Sequence, residues 1–291
     1  MQQVDDFAIT STDKAICQEI ILHLDSAMTM KIKVLGLVTY YNGVNVDQTQ
    51  EYIKIHSHTY IQKICKAHGW DTDETPLHTF PLPMNSEKSY LKQLDDETDN
   101  QHIDPDDLEL QKGFSYRQAI GELIYAMVTT RPDISFPVIK LSQFTTRPLP
   151  IHYDAVKHIF LYLRATSTHG IYYWRQKLVM GLPAGQKPTV KDDPYKPTMI
   201  STSDSTELIG FSDSDWAGDT RHRRSVTGVA VIYAGGVVCY KTKYQETIAL
   251  SSTEAEFVAL CDAGKVVLYA RSILDDLAVS QENATTLYKD N

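Results

Sequence analysis

Leu208-Ile209-Gly210-Phe211-Ser212-Asp213-Ser214-Asp215 is the stretch whose reading decides the fold. Leu208 to Ser212 reads as a strand, and the two acids that follow are two residues apart. That period puts both carboxylates on one sheet face, where they repel unless a cation or solvent separates them. Outward from it, Thr227 to Ala234 and Val237 to Thr242 are two more strands, joined at Gly235-Gly236 as a hairpin. A long helix runs from Thr253 to about Leu277, and Thr285 to Asp290 forms a fourth strand. Three antiparallel strands, a helix and a strand make an α/β unit over 207–291.

The helix separates two glutamates by role. Ser251 is its N-cap and Glu254, three residues on, completes a capping box. Glu256 lies about 200° round the helix from Glu254 and falls near Phe257, Leu260 and Cys261, the side read as apolar. An acid there needs a partner or a metal. If the fourth strand lies beside the first, Asp213, Glu256 and Asp290 converge at one sheet end. Three hard oxygen ligands suit Mg²⁺ or Mn²⁺. Spacing alone leaves two readings open, a cation site or a solvated strand end. Arg221, Arg223 and Arg224 in one loop, with Lys241 and Lys243 on the third strand, are the bases a phosphate backbone requires, read here as flanking that site. His56-x-His58 with Cys65-x-x-His68 does not have standard zinc spacing.

The remainder is longer and less regular. Val4-Asp5-Asp6-Phe7-Ala8-Ile9 reads as a short strand or hairpin, and Asp13 to Ala27 as a helix with Ile16, Ile20, Ile21 and Leu24 on one stripe. Lys31 to Ile55 alternates as β-structure with a turn near Val46 to Thr49, and Ser57 to Ala67 is a short helix. Helices are expected over Tyr116–Thr130, Pro137–Thr145 and His152–Ala165, then a strand at Gly170–Trp174 and a loop over 176–206.

Composition looks hostile to nucleic acid until it is resolved by position. The 291 residues carry 37 acids and 28 Lys plus Arg, a formal charge of −9. Residues 71–110 hold twelve acids and two bases, which puts −10 there and leaves +1 for the rest. With four prolines and few aromatics, that segment reads as a solvated connector. The four cysteines are scattered, which fits a reducing interior rather than a disulfide scaffold. No apolar run approaches the roughly 18–20 residues of a membrane span, and no signal-peptide pattern opens the chain.

Several runs are distinctive together: Val4-Asp5-Asp6; the stretch from Tyr116-Arg117-Gln118-Ala119-Ile120-Gly121 to Thr130-Arg131-Pro132-Asp133-Ile134; Phe211 to Asp219; Arg223 to Gly228; and Ala249-Leu250-Ser251-Ser252-Thr253-Glu254-Ala255-Glu256. They resemble the C-terminal part of a copia-type (Pseudoviridae) retrotransposon polyprotein, the end of its reverse transcriptase followed by most of its RNase H. Val4-Asp5-Asp6 is similar to the polymerase hairpin, with Gln3 where the family has tyrosine.

The resemblance implies an α+β fold in several parts. These are a partial reverse-transcriptase palm over 1–70, an acidic linker over 71–110, a helical thumb or connection over 111–175, a loop over 176–206 and a C-terminally truncated RNase H-like domain over 207–291. It implies RNA-directed DNA synthesis and two-metal hydrolysis of RNA in RNA–DNA hybrids, with Mg²⁺ or Mn²⁺ held by Asp213, Glu256 and Asp290 and, at the polymerase hairpin, by Asp5 and Asp6. The family's third polymerase aspartate belongs to an earlier strand, upstream of Met1. A different class of reading is a catalytically inactive remnant that at most binds nucleic acid or a partner chain. Implied partners are an RNA–DNA hybrid, a template-primer and the remainder of the Pol polyprotein, with no membrane. The implied location is the cytoplasm, in a virus-like particle, and the nucleus.

Overall fold

Val156, Ile159, Phe160 and Leu163, spaced for one helix face, are all fully buried on a helix spanning Pro150–Ala165. The computed structural model describes residues 2–3, 6–11, 13–29, 31–72, 77–83, 87–95, 104–175, 187, 189–190, 193–194, 196, 206–219 and 221–290. In chain order these form β1 (Gln2–Gln3), β2 (Asp6–Phe7), α1 (Lys14–Ala27), β3 (Tyr40–Tyr41), β4 (Val44–Gln48), β5 (Tyr52–His56) and α2 (His58–Ala67). Then come α3 (Glu87–Asp95), α4 (Pro105–Lys112), α5 (Tyr116–Thr129), a 3-10 turn at Pro132–Ile134, α6 (Ser135–Ser142) and α7 (Pro150–Ala165). The chain continues through β6 (Gly170–Trp174), β7 (Ile209–Asp215), β8 (Val226–Tyr233), β9 (Gly236–Tyr244), α8 (Ser252–Asp276) and β10 (Thr286–Tyr288). No described helix is long and apolar enough to cross a membrane.

One apolar core joins α2, α5, α6 and α7 through residues such as Ile61, Leu123, Val138 and Phe160. Burying each such side chain stabilises by roughly 1.5–3 kcal/mol. Arg131 ends α5 and is itself buried. It donates to both carboxylate oxygens of Asp133 at 3.0 and 2.7 Å and to Thr166 beyond α7, so the Thr130-Arg131-Pro132-Asp133 run ties two helix ends together. The antiparallel sheet beside this core runs β3-β4-β5-β6, so its fourth strand arrives only after the helices. Its first turn is Asn42-Gly43, both at positive φ, as a tight two-residue hairpin requires. Val46 to Gln48, expected to turn, instead lie within β4, and the next reversal falls at residues 49–51.

The expectation of a solvated connector over 71–110 is corrected. Residues 87–95 and 105–112 are helical, and Leu94 and Leu108 enter the main core. Local signals fix α4: Asp104 caps it by accepting from the Asp106 amide, Pro105 opens it, and Gly113 at φ +76° closes it. Asp95, at the end of α3, meets the Lys140 ammonium at 2.7 Å with both groups buried. Two leucines and one paired acid dock the described part of this segment, in which Asp71, Asp104, Asp106 and Asp107 are exposed.

The second sheet has the order β10-β7-β8-β9, with β10 parallel to β7 and the other pairs antiparallel. Helix α8 makes the crossover and packs Ala255, Ala259, Ala263, Val267 and Ala270 onto the sheet. Small side chains let it approach closely, and Gly210 on β7 sits where a Cβ would strike Val267 and Leu287. The expected apolar side of this helix is therefore corrected: Phe257 and Cys261 face outward. Tyr173 Oη donating to the Val237 carbonyl at 2.9 Å, and Tyr240 Oη to that of Met127, join this unit to the first.

Candidate active site

Alternation along β7 sends Gly210 and Ser212 toward α8 and leaves Phe211, Asp213 and Asp215 exposed on the other side. Asp213 pairs across the ladder with Gly228, whose missing side chain leaves the carboxylate open. Tyr288 pairs with Phe211, so Asp290, two residues on, comes level with Asp213. Asp213 and Asp290 line one groove of about 570 Å³ with Phe211, Tyr288, Lys289, Pro132 and Ser135. The Phe211 and Tyr288 rings stack there at 5.3 Å.

Glu256 enters from the second turn of α8 and is only 5% exposed. Its Oε1 accepts from the Ser214 amide at 3.1 Å, while the buried Oε2 has no hydrogen-bond partner among the described residues. Burial pushes its carboxyl above the ordinary range and the Asp213 charge pushes it further; Asp290 acts in the same sense, against the Ser214 amide and Lys289. Asp213 and Asp290 thus both act on the Glu256 charge. They are hard oxygen donors whose mutual repulsion a divalent cation would relieve, so the donor set fits Mg²⁺ or Mn²⁺ in kind and charge. Among the described residues, however, no three His, Cys, Asp or Glu side chains stand close enough to hold a metal together. The acids are gathered, not closed. Ser251 caps α8 by accepting from the Glu254 amide, and Glu254 reaches back to the Leu250 amide, which confirms its structural task.

A secreted RxLR effector protein of Plasmopara viticola is 38% identical over 152 residues, covering 52% of this chain and 88% of that protein. The retrovirus-related Pol polyprotein from transposon TNT 1-94 of Nicotiana tabacum is 28% identical over 283 residues, 96% of this chain but 18% of the polyprotein. An uncharacterized mitochondrial protein of Arabidopsis thaliana is 28% identical over 258 residues, 88% of each chain. No family model matches, and no solved structure matches. Over nearly its whole length the chain is similar to retrovirus-related Pol polyproteins from plant transposons, at 24–28% identity. It spans less than a fifth of the tobacco polyprotein's length.

In this unit the bases read as flanking the acids fall in two places, the β7–β8 loop and β9. Arg223 and Arg224 are exposed in the β7–β8 loop, which turns through Arg223 at φ +56° with its amide on the Asp219 carbonyl at 2.8 Å. Arg221 is drawn inward, its guanidinium 4.5 Å from the Phe144 ring and 3.5 Å from Asp95. Lys241 and Lys243 do not flank the acids, which corrects the expectation. Asp213 registers with Gly228 and Thr242, whereas Lys241 registers with Val229 and Ser212, so the lysines share the α8 face. There they meet buried Asp262 at 3.5 and 3.0 Å, joined by Lys265 at 3.3 Å.

At the N-terminal end, Asp5 lies outside the described residues. Asp6 begins β2 and pairs antiparallel with Gln3 of β1. The histidines of the rejected zinc spacing have other partners: His56 faces Asp47 at 3.2 Å, His58 Ser167 at 3.1 Å and His68 Glu122 at 2.7 Å. Sequence reading missed Asp262 and Asp95 as acids that organise the fold. Asp262 carried one usable signal, its place one heptad from Ala255 on the helix face that proved buried.

Proposed function

We propose that this chain corresponds to the reverse transcriptase/RNase H portion of a copia-type retrotransposon Pol polyprotein, and that its 207–291 unit acts on RNA in RNA–DNA hybrids. The observation that carries the reading is the buried, unpaired Glu256 Oε2 beside a groove holding Asp213 and Asp290. A bound divalent ion would supply an activated water and charge stabilisation at the scissile phosphate. Asp213 and Asp290 offer oxygen donors from two adjacent strands, and Glu256 offers one from the helix, anchored by the Ser214 amide. Exposed Arg223 and Arg224 would hold backbone phosphates bidentately and fix the strand's register. Asp5 and Asp6 belong, on this reading, to the polymerase hairpin of the parent polyprotein, where RNA-directed DNA synthesis takes place.

Cleavage of an end-labelled RNA–DNA hybrid in Mg²⁺ or Mn²⁺ tests it. Hydrolysis that disappears in Asp213→Asn supports the reading, and hydrolysis unchanged by that substitution overturns it. The absence of a closed ligand group among the described residues favours a second reading, a chain that binds hybrid without cutting it. Filter binding without cleavage in either metal would select that alternative.

A further inference from the structure

A buried set of charges joins the helical core to the β7–β8 loop. Asp95, the last residue of α3, and Lys140 of α6 pair at 2.7 Å with both side chains buried. Asp219 of the loop is also buried and lies 3.9 Å from the same ammonium. Arg221 closes the set. Its guanidinium stands 3.5 Å from Asp95, donates to Gln143 Oε1 at 3.1 Å and packs 4.5 Å from the Phe144 ring. These two cations and two carboxylates balance, so removing one leaves another uncompensated in the interior.

The acid that meets Lys140 from the loop also shapes the loop. Asp219 Oδ1 accepts from the Arg221 amide at 3.2 Å, and Oδ2 meets His222 Nδ1 at 3.1 Å. Its backbone adds two more ties: the Asp219 carbonyl accepts from the Arg223 amide at 2.8 Å, and the Asp219 amide donates to the Arg224 carbonyl at 3.1 Å. Burial raises the Asp219 carboxyl, but the Arg221 amide, His222 and Lys140 hold it below its ordinary range. Arg223, at φ +56°, and Arg224 follow directly and are exposed. The loop thus turns one arginine inward and the next two outward. A guanidinium packed on a ring and forked between a carboxylate and an amide oxygen is a fixed support that a flexible ammonium does not reproduce. Ordering the loop in advance spares the two outward arginines part of the entropy lost on binding. Asp95 belongs to the acidic stretch that composition alone sets against nucleic acid, yet its charge is compensated by Lys140 and Arg221.

We propose that Asp95 and Arg221 are positioning residues for nucleic-acid binding, holding the β7–β8 loop in the arrangement from which Arg223 and Arg224 grip backbone phosphates. This rests on the reading above that the hybrid contacts those two arginines, and it makes an acid of the 71–110 segment a support for a polyanion. The test is the binding of a fluorescein-labelled RNA–DNA hybrid to the full chain, followed by anisotropy in EDTA at several salt concentrations. Removing an acid near a polyanion by itself tightens binding. Asp95→Asn is expected instead to weaken it about fivefold or more and to lower the salt slope by about one to two. In the Arg223→Ala/Arg224→Ala background the same substitution should change binding by less than about twofold, because the positioned groups are gone. Unchanged or tighter binding by Asp95→Asn overturns the proposal, and so does an equal weakening in both backgrounds. If Asp95→Asn does not fold, Arg221→Lys decides, since it keeps the net charge but not the planar fork. It should weaken binding likewise, and wild-type affinity overturns the proposal. Amide exchange separates the anchorage from the phosphate reading. If Arg223→Ala/Arg224→Ala binds the hybrid as wild type does, the phosphate reading fails. The anchorage then stands if the Arg223 amide exchanges several-fold faster in Asp95→Asn, and unchanged exchange overturns it.

Discussion

Glu256 and Asp262 lie six residues apart on α8 and are equally buried, at 5% and 4% exposure, yet their surroundings drive them in opposite directions. Burial raises both. Around Asp262 the hydrogen bonds and charges of Lys243, Lys241 and Lys265 overcome it and hold the carboxyl below the ordinary range. Around Glu256 the Asp213 charge adds to it, and one amide and the Lys289 charge do not compensate. One acid is charge-paired by three lysines of its own chain and serves the fold. The other is held at a cost, with no nearby positive charge strong enough to offset its burial.

The largest expected effect comes from removing that cost. Glu256→Gln keeps the shape and an acceptor for the Ser214 amide but deletes the charge. Hybrid cleavage should fall by at least about 100-fold, since losing a group that merely orients a metal ligand already costs about 10–100-fold. The same substitution should raise Tm in EDTA by about 2–4 °C, for roughly 1 kcal/mol of relieved charge. A variant that keeps its cleavage rate would remove Glu256 from the site, and one that melts earlier would show the carboxylate to be stabilising. Asp262→Ala should do the reverse. It strands Lys241 and Lys243, which are each about a third exposed, and should cost about 1–3 kcal/mol in urea unfolding. Any loss of cleavage by the folded fraction would blur the division between the two acids.

The pH dependence of stability follows the same contrast. Asp262 has a folded pKa below its unfolded one, so its contribution is complete above the ordinary carboxylate pKa of about 3.9 and is lost as pH falls through the lower folded value. Asp133 behaves alike: burial raises it, but the hydrogen bonds of Arg131 and Tyr162 prevail and lower it. Wild type should therefore lose stability below about pH 4 more steeply than Asp262→Asn. Matched acid-unfolding curves measured by circular dichroism check this; parallel curves would mean the three lysines do not hold Asp262.

Much of this division was legible in the sequence, and the limits have physical causes. Alternation in β7 and the Ser251 cap located Asp213 and separated Glu254 from Glu256, because both depend on neighbours a few residues away. The face of Lys241 was not legible. It depends on a register carried from Asp213 through Gly228 to Thr242 across two turns, and a one-residue slip reverses it. The buried side of α8 was misjudged because alanines pack it while Phe257, Leu268 and Tyr269 face outward. Residues 71–110 looked solvated because composition averages over Leu94 and Leu108, the two side chains that dock them. The pairing of β6 with β5 joins residues more than a hundred positions apart, beyond the reach of any local pattern.

The smallest expected effect separates the two sets of bases. Arg223→Ala with Arg224→Ala should weaken hybrid binding and lower the salt slope by about one for each phosphate no longer neutralised. Lys241→Ala with Lys243→Ala should change that binding by less than about twofold, because both ammonium groups are engaged by Asp262 on the opposite sheet face. Their removal should appear as lower stability instead, since Asp262 would keep only Lys265, the most exposed of its three partners. Binding titrations at several salt concentrations, run beside melting curves, distinguish the pairs. A lysine double variant that binds weakly at unchanged stability would mean that hybrid draws these lysines away from Asp262, and the two acids of α8 would then belong to one coupled site.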